Sequence, residues 1–331
     1  MADTTQERMM SLIMGTKPVD FTRSIDPSTV RGKIAVITGG ASGIGRGIAE
    51  GLASNGAKVA ILDISDEQGQ HVASELKAKG HEALFVKTDV ASWEAQLEAF
   101  KAALKWSGSG LDIVVAAAGI RATDMRDSIV PKKGDEEEEE EEEEEPPKPH
   151  MKVLDINFTG VWWTTNLALF YFNKFHASRS ESSEFGPQIL LISSLAGYGP
   201  PPFDADYGAA KHGVRGLWKS IRVPDESMAQ YQANLLAPGW THTGMTDSYV
   251  HKLKDRGVRV ATVADNVRAA MRLIVDQEVS ARAVIVAANP EGVEDGQKGS
   301  GVFDVLDDFG TLGAGKAILE KLGEGVFDNY V

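Results

Sequence analysis

The 331-residue chain contains no cysteine. That excludes a disulfide framework, a thiolate zinc site, an iron–sulfur cluster and a cysteine nucleophile. It has no basic tract to neutralise phosphate backbones, so a nucleic-acid partner is not expected. No apolar run reaches the ~18 residues of a membrane helix, so no membrane partner is expected either. The first residues carry Asp3 and Glu7 ahead of a brief apolar stretch from Met9 to Met14. A secretory signal wants a basic start and about 7–15 apolar residues, and a transit peptide wants arginines and few acids. The final Asp328-Asn329-Tyr330-Val331 matches no retention or peroxisome signal. A cytoplasmic location is the expectation.

What the chain has in excess is negative charge. Lys plus Arg total 34 and Asp plus Glu total 48, a formal net charge of −14. Eleven of those acids are consecutive, Asp135 followed by ten glutamates to Glu145; without them the balance is −3. The acidity therefore belongs to one segment. Pro146, Pro147 and Pro149 follow it, and like charges that repel and bury nothing predict a disordered surface insertion over 131–150. Low complexity offers no fixed ligand geometry, so no metal is expected there. The hydrophobic content of 42% is that of an ordinary globular chain.

Elsewhere short apolar runs alternate with helix-period segments. Strands are expected at 33–38, 58–63, 83–88, 112–118, 188–194, 232–237 and 282–288. Helices are expected at 43–54 (Ile44, Ile48, Leu52, Ala53 inward), from Ser65 to near Gly80, around Leu97, Phe100 and Leu104, at 151–175, at 207–221, and after Thr262. Ser65 with Gln68 reads as a capping box, and Thr262 as a cap. Apolar strands alternating with helices predict α/β architecture: one Rossmann-type, doubly wound parallel sheet of about seven strands. The expected division is an N-terminal extension (1–30), the domain (31–290) and a C-terminal tail (291–331).

Thr38-Gly39-Gly40-Ala41-Ser42-Gly43-Ile44-Gly45 lies between the first strand and the first helix. Glycines let the backbone approach a pyrophosphate, and a helix N-terminus supplies free N–H groups and partial positive charge. The spacing is not G-x-G-x-x-G, and alone it is weak. Asp63, closing the second strand, adds weight. A carboxylate there accepts hydrogen bonds from the two adenosine ribose hydroxyls and repels a 2′-phosphate. No basic residue follows it, and Ser42 stands where a basic residue would favour a phosphate, so NAD is expected over NADP.

Tyr207 and Lys211 are four apart and share a helix face. Ser194 closes the fifth strand, at the carboxyl edge where open α/β sheets bind ligands. A lysine ammonium beside a tyrosine, helped by a nicotinamide cation, favours phenolate and lowers the tyrosine pKa. The pair alone is common on helix surfaces; with the glycine turn and the serine it is a candidate catalytic group.

Together, Thr38-Gly39-x-x-x-Gly43-x-Gly45, Ser194 thirteen residues before Tyr207, and Tyr207-x-x-x-Lys211 resemble the short-chain dehydrogenase/reductase family. Asp89-Val90, Asn157 and Pro238-Gly239-x-x-x-Thr243 also match, and the resemblance covers about residues 31–290. Ser193-Ser194-Leu195-Ala196-Gly197 and Lys211-His212-Gly213-Val214 are similar to the NAD-dependent 15-hydroxyprostaglandin dehydrogenase group. The proline-rich insertion is similar to fungal secondary-metabolism dehydrogenases. The resemblance implies Tyr207 as acid/base, Lys211 on the nicotinamide ribose, Ser194 on the substrate oxygen, and Asn157 kinking its helix and holding a relay water. Asp89 and Val90 would contact adenine, and Thr243 the nicotinamide carboxamide. Cofactor contacts are also implied for Ser42, Ile44, Ala118, Gly119, Pro238 and Gly239. A homodimer or homotetramer is implied, with the long helix in the contact. Two departures stand out. Ala116-Ala117-Ala118-Gly119 replaces Asn-Asn-Ala-Gly, and Asp204 replaces a glutamine near the substrate, which speaks against an acidic substrate.

Several residues invite weaker readings. Asn157-Phe158-Thr159 is formally a glycosylation sequon inside an expected helix. His212 should pack away from Tyr207. Trp162, Trp163, Phe170 and Phe172 should be core or subunit interface. Trp240 is a candidate pocket wall, and 244–262 a substrate lid. The expected function is NAD-dependent interconversion of a secondary alcohol and a ketone on a small apolar metabolite. The rivals are a biosynthetic ketone reductase, an inactive nucleotide-binding scaffold or sensor, and an acidic protein that holds a basic partner.

Overall fold

The computed structural model describes residues 18–108, 110–122, 124–128, 148–176, 185–199, 203–225, 227–288 and 301–304. Seven parallel strands form the body of one sheet: β1 (Ile34–Thr38), β2 (Lys58–Asp63), β3 (Ala83–Lys87), β4 (Ile113–Ala116), β5 (Gln188–Ile192), β6 (Gln232–Pro238) and β7 (Ala283–Val286). Their order is β3-β2-β1-β4-β5-β6-β7. This is the expected doubly wound fold.

The apolar runs are strands because both sheet faces are covered. Along β1, Ala35 and Ile37 point into one hydrophobic cluster, and Ile34 and Val36 into the other. The first cluster is closed by α1 (Gly43–Ser54), α2 (Asp66–Ala78) and α7 (Val263–Val275). The second is closed by α3 (Trp93–Ser107), α4 (Gly160–His176) and α5 (Ala205–Ile221). A short helix, α6 (Asp247–Asp255), lies in the segment after β6. Because β1 is followed in space by β4, the chain direction of winding switches there. A crevice therefore opens beyond the carboxyl ends of these strands.

An eighth strand was not expected. β8 (Val302–Asp304) adds antiparallel to β7. Residues outside 31–290 also join this body. Val19 and Val30 are buried, with Phe21 and Ile25 packed beside them. The Val19 N–H donates to Asp304 Oδ2 at 2.7 Å, and Asp304 pairs with buried Arg282 at 2.5 Å. Apolar side chains among residues 19–30 and the Asp304 carboxylate thus tie the first and last described segments to the sheet.

Other local differences have plain causes. The Ser65–Gln68 capping box does not form. Ser65 occupies the N-cap without a side-chain bond, and Asp63 Oδ1 rather than Gln68 takes the Ser65 N–H. Thr262 does cap α7, in a full capping box with Asp265. β4 stops at Ala116, two residues earlier than expected, as the chain turns beneath Gly39. The expected long helix is one turn (Lys152–Leu154), a π-helical turn (Asp155–Thr159) and α4 in succession. Phe172 is core, but Trp162 and Phe170 are 48% and 61% exposed. Trp163 packs edge-on against Trp93. His212 is exposed rather than packed, its Nδ1 on the Gly208 carbonyl. The acidic run lies outside the described residues. No helix among the described residues is long and apolar enough to cross a membrane.

Candidate active site

The glycine turn folds tightly onto the end of β4. Gly39 has φ +66, and a Cβ on it would stand 2.6 Å from the Ala118 Cα. Gly43 has φ +53, and a Cβ on Gly45 would stand 2.2 Å from the Gly39 carbonyl oxygen. Left-handed backbone and these approaches are open only to glycine. The result presents the first N–H groups of α1, which lack intrahelical partners, to the crevice. Ser42 sits at the N-cap with its side chain making no capping bond. Thr243, in the loop after β6, closes over the turn with its side chain 3.6 Å from that position on Gly43.

Asp63 is held at the tip of β2. Its Oδ2 accepts from the Ala41 N–H and its Oδ1 from the Ser65 N–H, both at 3.0 Å. Asp89 accepts from the Ala91 N–H, beside buried Val90. Across the switch point, Ser194 caps a short turn by accepting from the Ala196 N–H. Its hydroxyl donates to the Pro238 carbonyl at 3.4 Å and acts on the Tyr207 phenol beside it. One turn along α5, Lys211 Nζ lies 5.5 Å from the Tyr207 ring centroid and donates to the Ile192 carbonyl at 3.1 Å.

Burial governs both titrations. It lowers Lys211 to about 8. It raises Tyr207 above its ordinary value, with the Ser194 hydrogen bond opposing and the Asp204 charge adding. Desolvation of the phenolate is the leading cause; the expected lowering by Lys211 and a nicotinamide cation belongs to the enzyme with cofactor bound. Asp204, half-buried at the N-cap of α5, is itself raised by burial and then by Asp206 and Asp124.

A cavity of about 490 Å³ joins the two halves. It is lined by Gly39, Ser42, Gly43, Ile44, Gly45, Asp63, Asp89, Val90, Ala118 and Gly119, and by Ser194, Tyr207, Lys211, Pro238, Gly239 and Thr243. These are all the sequence-derived site residues except Asn157, which lies behind the wall. Its Oδ1 accepts from the Ile120 N–H and its Nδ2 donates to the Ile120 carbonyl, both at 2.8 Å. It sits in the π-helical turn, an irregularity that occurs often at functional sites. Trp240 is not among the lining residues; Thr241 and the stretch from Thr243 to Thr246 take that place.

Sequence reading passed over Gln68 and Ile120, which also line the cavity, and took in Met245 and Thr246 only as part of the 244–262 lid. Thr246 organises its loop: its hydroxyl donates to the Thr241 carbonyl at 2.6 Å and accepts from the Thr243 N–H at 3.0 Å. Closely spaced threonines after Pro238-Gly239 were the available signal. Lys211 is the sole basic residue among those lining the cavity.

The crevice, the cradle of glycine and the Ser–Tyr–Lys group are what a nicotinamide enzyme needs. Residues 33–276 match the family model described as short chain dehydrogenase. The chain belongs to the short-chain dehydrogenase family. It is 38% identical to NADP-dependent dehydrogenase M3 of Phoma sp., over 97% of this chain and 93% of that one. It is 35% identical to 5'-hydroxyaverantin dehydrogenase of Dothistroma septosporum, over 92% and 98%. Among solved structures, a 3-ketoacyl-(acyl-carrier-protein) reductase from Brucella melitensis superposes with a TM-score of 0.62 at 24% identity. That match covers 78% of this chain and 97% of the other, and it bears on fold alone. The protein is thus an oxidoreductase of the short-chain dehydrogenase family, similar to fungal dehydrogenases.

Proposed function

We propose that the protein oxidises a secondary alcohol of a small apolar secondary metabolite to the ketone, with NAD as cofactor. The observation that carries this reading is convergence. Ser194, Tyr207 and Lys211 line the same cavity as the glycine turn and Asp63, so alcohol and dinucleotide meet in one space.

The residues fit a dinucleotide. The close-packed glycines leave room for a pyrophosphate at the N-terminus of α1. Asp63 would hold the adenosine ribose, Asp89 and Val90 the adenine, and Thr243 the carboxamide. Bound NAD supplies the hydride acceptor. The chain's own residues do the rest. Ser194 holds the alcohol oxygen, Tyr207 takes the hydroxyl proton as the carbonyl forms, and Lys211 would hold the nicotinamide ribose beside it. Asn157, through Ile120, supports the cavity floor and would hold a water on the path from Lys211 to solvent. A buried tyrosine with a raised pKa makes oxidation an alkaline reaction. Asp204, close enough to act on Tyr207, favours an uncharged substrate.

Preference for NAD rests on Asp63 and on the lack of arginine and lysine, Lys211 excepted, among the lining residues. A second reading, ketone reduction with NADPH, is favoured by the names of two relatives, from Phoma sp. and Cochliobolus lunatus, both called NADP-dependent. The intact Ser194–Tyr207–Lys211 group argues against an inactive scaffold. A homodimer or homotetramer through the exposed aromatic face of α4, and a cytoplasmic location, belong to the same reading. The test is fluorescence titration with NADH and NADPH. NADH should bind more tightly, and Asp63→Ala should weaken it at least about tenfold, the loss expected when a site's hydrogen bonds to ligand hydroxyls go. Tighter NADPH binding would overturn the NAD assignment and favour the reductase.

A further inference from the structure

Ser193 and Ser194 are neighbours at the end of β5 with different surroundings. Ser194 lines the cavity beside Tyr207 and acts to lower the pKa of its phenol. Ser193 is 2% exposed, and its hydroxyl donates to the main-chain carbonyl of Lys211 at 3.0 Å. Its own N–H donates to the Leu236 carbonyl at 2.7 Å. The sheet therefore fixes the Ser193 backbone while its side chain grips α5.

Two further contacts converge on the same point. Lys211 Nζ returns to the strand end by donating to the Ile192 carbonyl. Lys211 is thus tied to residues 192–193 twice, by its carbonyl and by its ammonium. Gly197 packs against the junction: a Cβ on it would stand 2.7 Å from Ser193 Oγ and 2.8 Å from the Lys211 carbonyl oxygen. Space at this joint is left out by sequence, and the polar groups inside it are satisfied by each other.

We propose that Ser193 is a positioning residue for proton transfer, setting Tyr207 and Lys211 in register with Ser194 by holding the Lys211 carbonyl. The inference rests on the catalytic reading of Ser194, Tyr207 and Lys211 given above. Its physical basis is that proton and hydride transfer tolerate little displacement, and a shift of ~1 Å can cost about a hundredfold in rate. Removing the Ser193 hydroxyl leaves the Lys211 main chain free to move away from the strand that carries Ser194. The Tyr207 phenol, on the same helix, then stands less close to Ser194, whose influence opposes the rise of its pKa.

The test is Ser193→Ala in the full chain, with Tyr207→Phe made in both backgrounds. Turnover of a secondary alcohol with NAD is measured beside NADH binding, melting temperature and the Tyr207 ionisation. The last is read as the ultraviolet difference titration between each protein and its Tyr207→Phe partner. The expected result is a kcat lowered about tenfold, a Tyr207 titration moved to higher pH, and an NADH dissociation constant within about twofold of wild type. Ser193→Cys, which keeps the shape and a weak donor, should lie between. An unmoved titration overturns the proposal, whether kcat is unchanged or falls together with NADH binding and melting temperature. Wild-type turnover in Tyr207→Phe would instead sink the catalytic reading, and the NADH-independent titration of Tyr207 would still decide the role of Ser193.

Discussion

Lys211 shows how a residue's chemistry follows from where it is placed. Its side chain is 5% exposed and its ammonium has the Ile192 carbonyl as an acceptor, while burial depresses its pKa to about 8. The unfolded chain binds a proton there up to about pH 10.4. Between those values the unfolded state holds more protons, so this group's contribution to stability rises with pH and its full cost is present below pH 8. Lys211→Met should therefore raise the melting temperature at pH 7 by about 2–4 °C, an advantage that shrinks above pH 8. Turnover should fall at least about a hundredfold. Calorimetry across that pH range with parallel rate measurements checks both, and a less stable variant at pH 7 would contradict the sign. Sequence reading found this residue by its spacing from Tyr207. Spacing carries no information on the desolvation that raises the neighbouring phenol.

At the level of elements, the glycine turn and the α1 N-terminus behave as one unit. Gly45 belongs to a helix, where glycine is costly, yet its Cβ would overlap the Gly39 carbonyl oxygen at 2.2 Å. Gly45→Ala should destabilise the fold by about 1–3 kcal/mol, the range for overpacking, and weaken NADH binding. Gly216, in the middle of α5, has nothing within 4 Å of the same position. Gly216→Ala should stabilise by about 0.5–1 kcal/mol. Urea unfolding of the two variants separates a glycine kept for close approach from one that is dispensable. The turn was legible because glycine clusters between a strand and a helix are rare without cause. The failed cap at Ser65 was not legible, because Ser-x-x-Gln is equally present whether or not Asp63 captures the N–H first.

Across the described residues, the first segment, at Val19, meets the last, at Asp304. Its carboxylate joins Arg282, just before β7, and the Val19 N–H, and both ionic side chains are at most 7% exposed. Asp304→Ala would leave a buried guanidinium without this carboxylate and should cost about 3–5 kcal/mol. Replacing both partners, Arg282→Met with Asp304→Leu, should recover most of it. Denaturant midpoints of the single and double variants measure the difference. Equal midpoints for wild type and Asp304→Ala would show that these two segments are not coupled to the sheet.

The alternation of apolar runs and helix-period segments determined the parallel sheet, since strands buried on both faces have no other way to be written. The same text determined Ser194, Tyr207, Lys211 and Asp63, because strand ends and helix spacings place them at one edge. Tertiary structure alone decided the rest. It recruited β8 and residues 18–30 through Asp304, since a strand of three residues carries no periodic signal. It turned Asn157 onto the Ile120 main chain, and left Trp240 out of the cavity wall. It set the Tyr207 and Lys211 titrations, and it brought the Ser193 hydroxyl onto the Lys211 carbonyl. These depend on burial and on groups distant in the chain meeting in space, which local pattern does not encode.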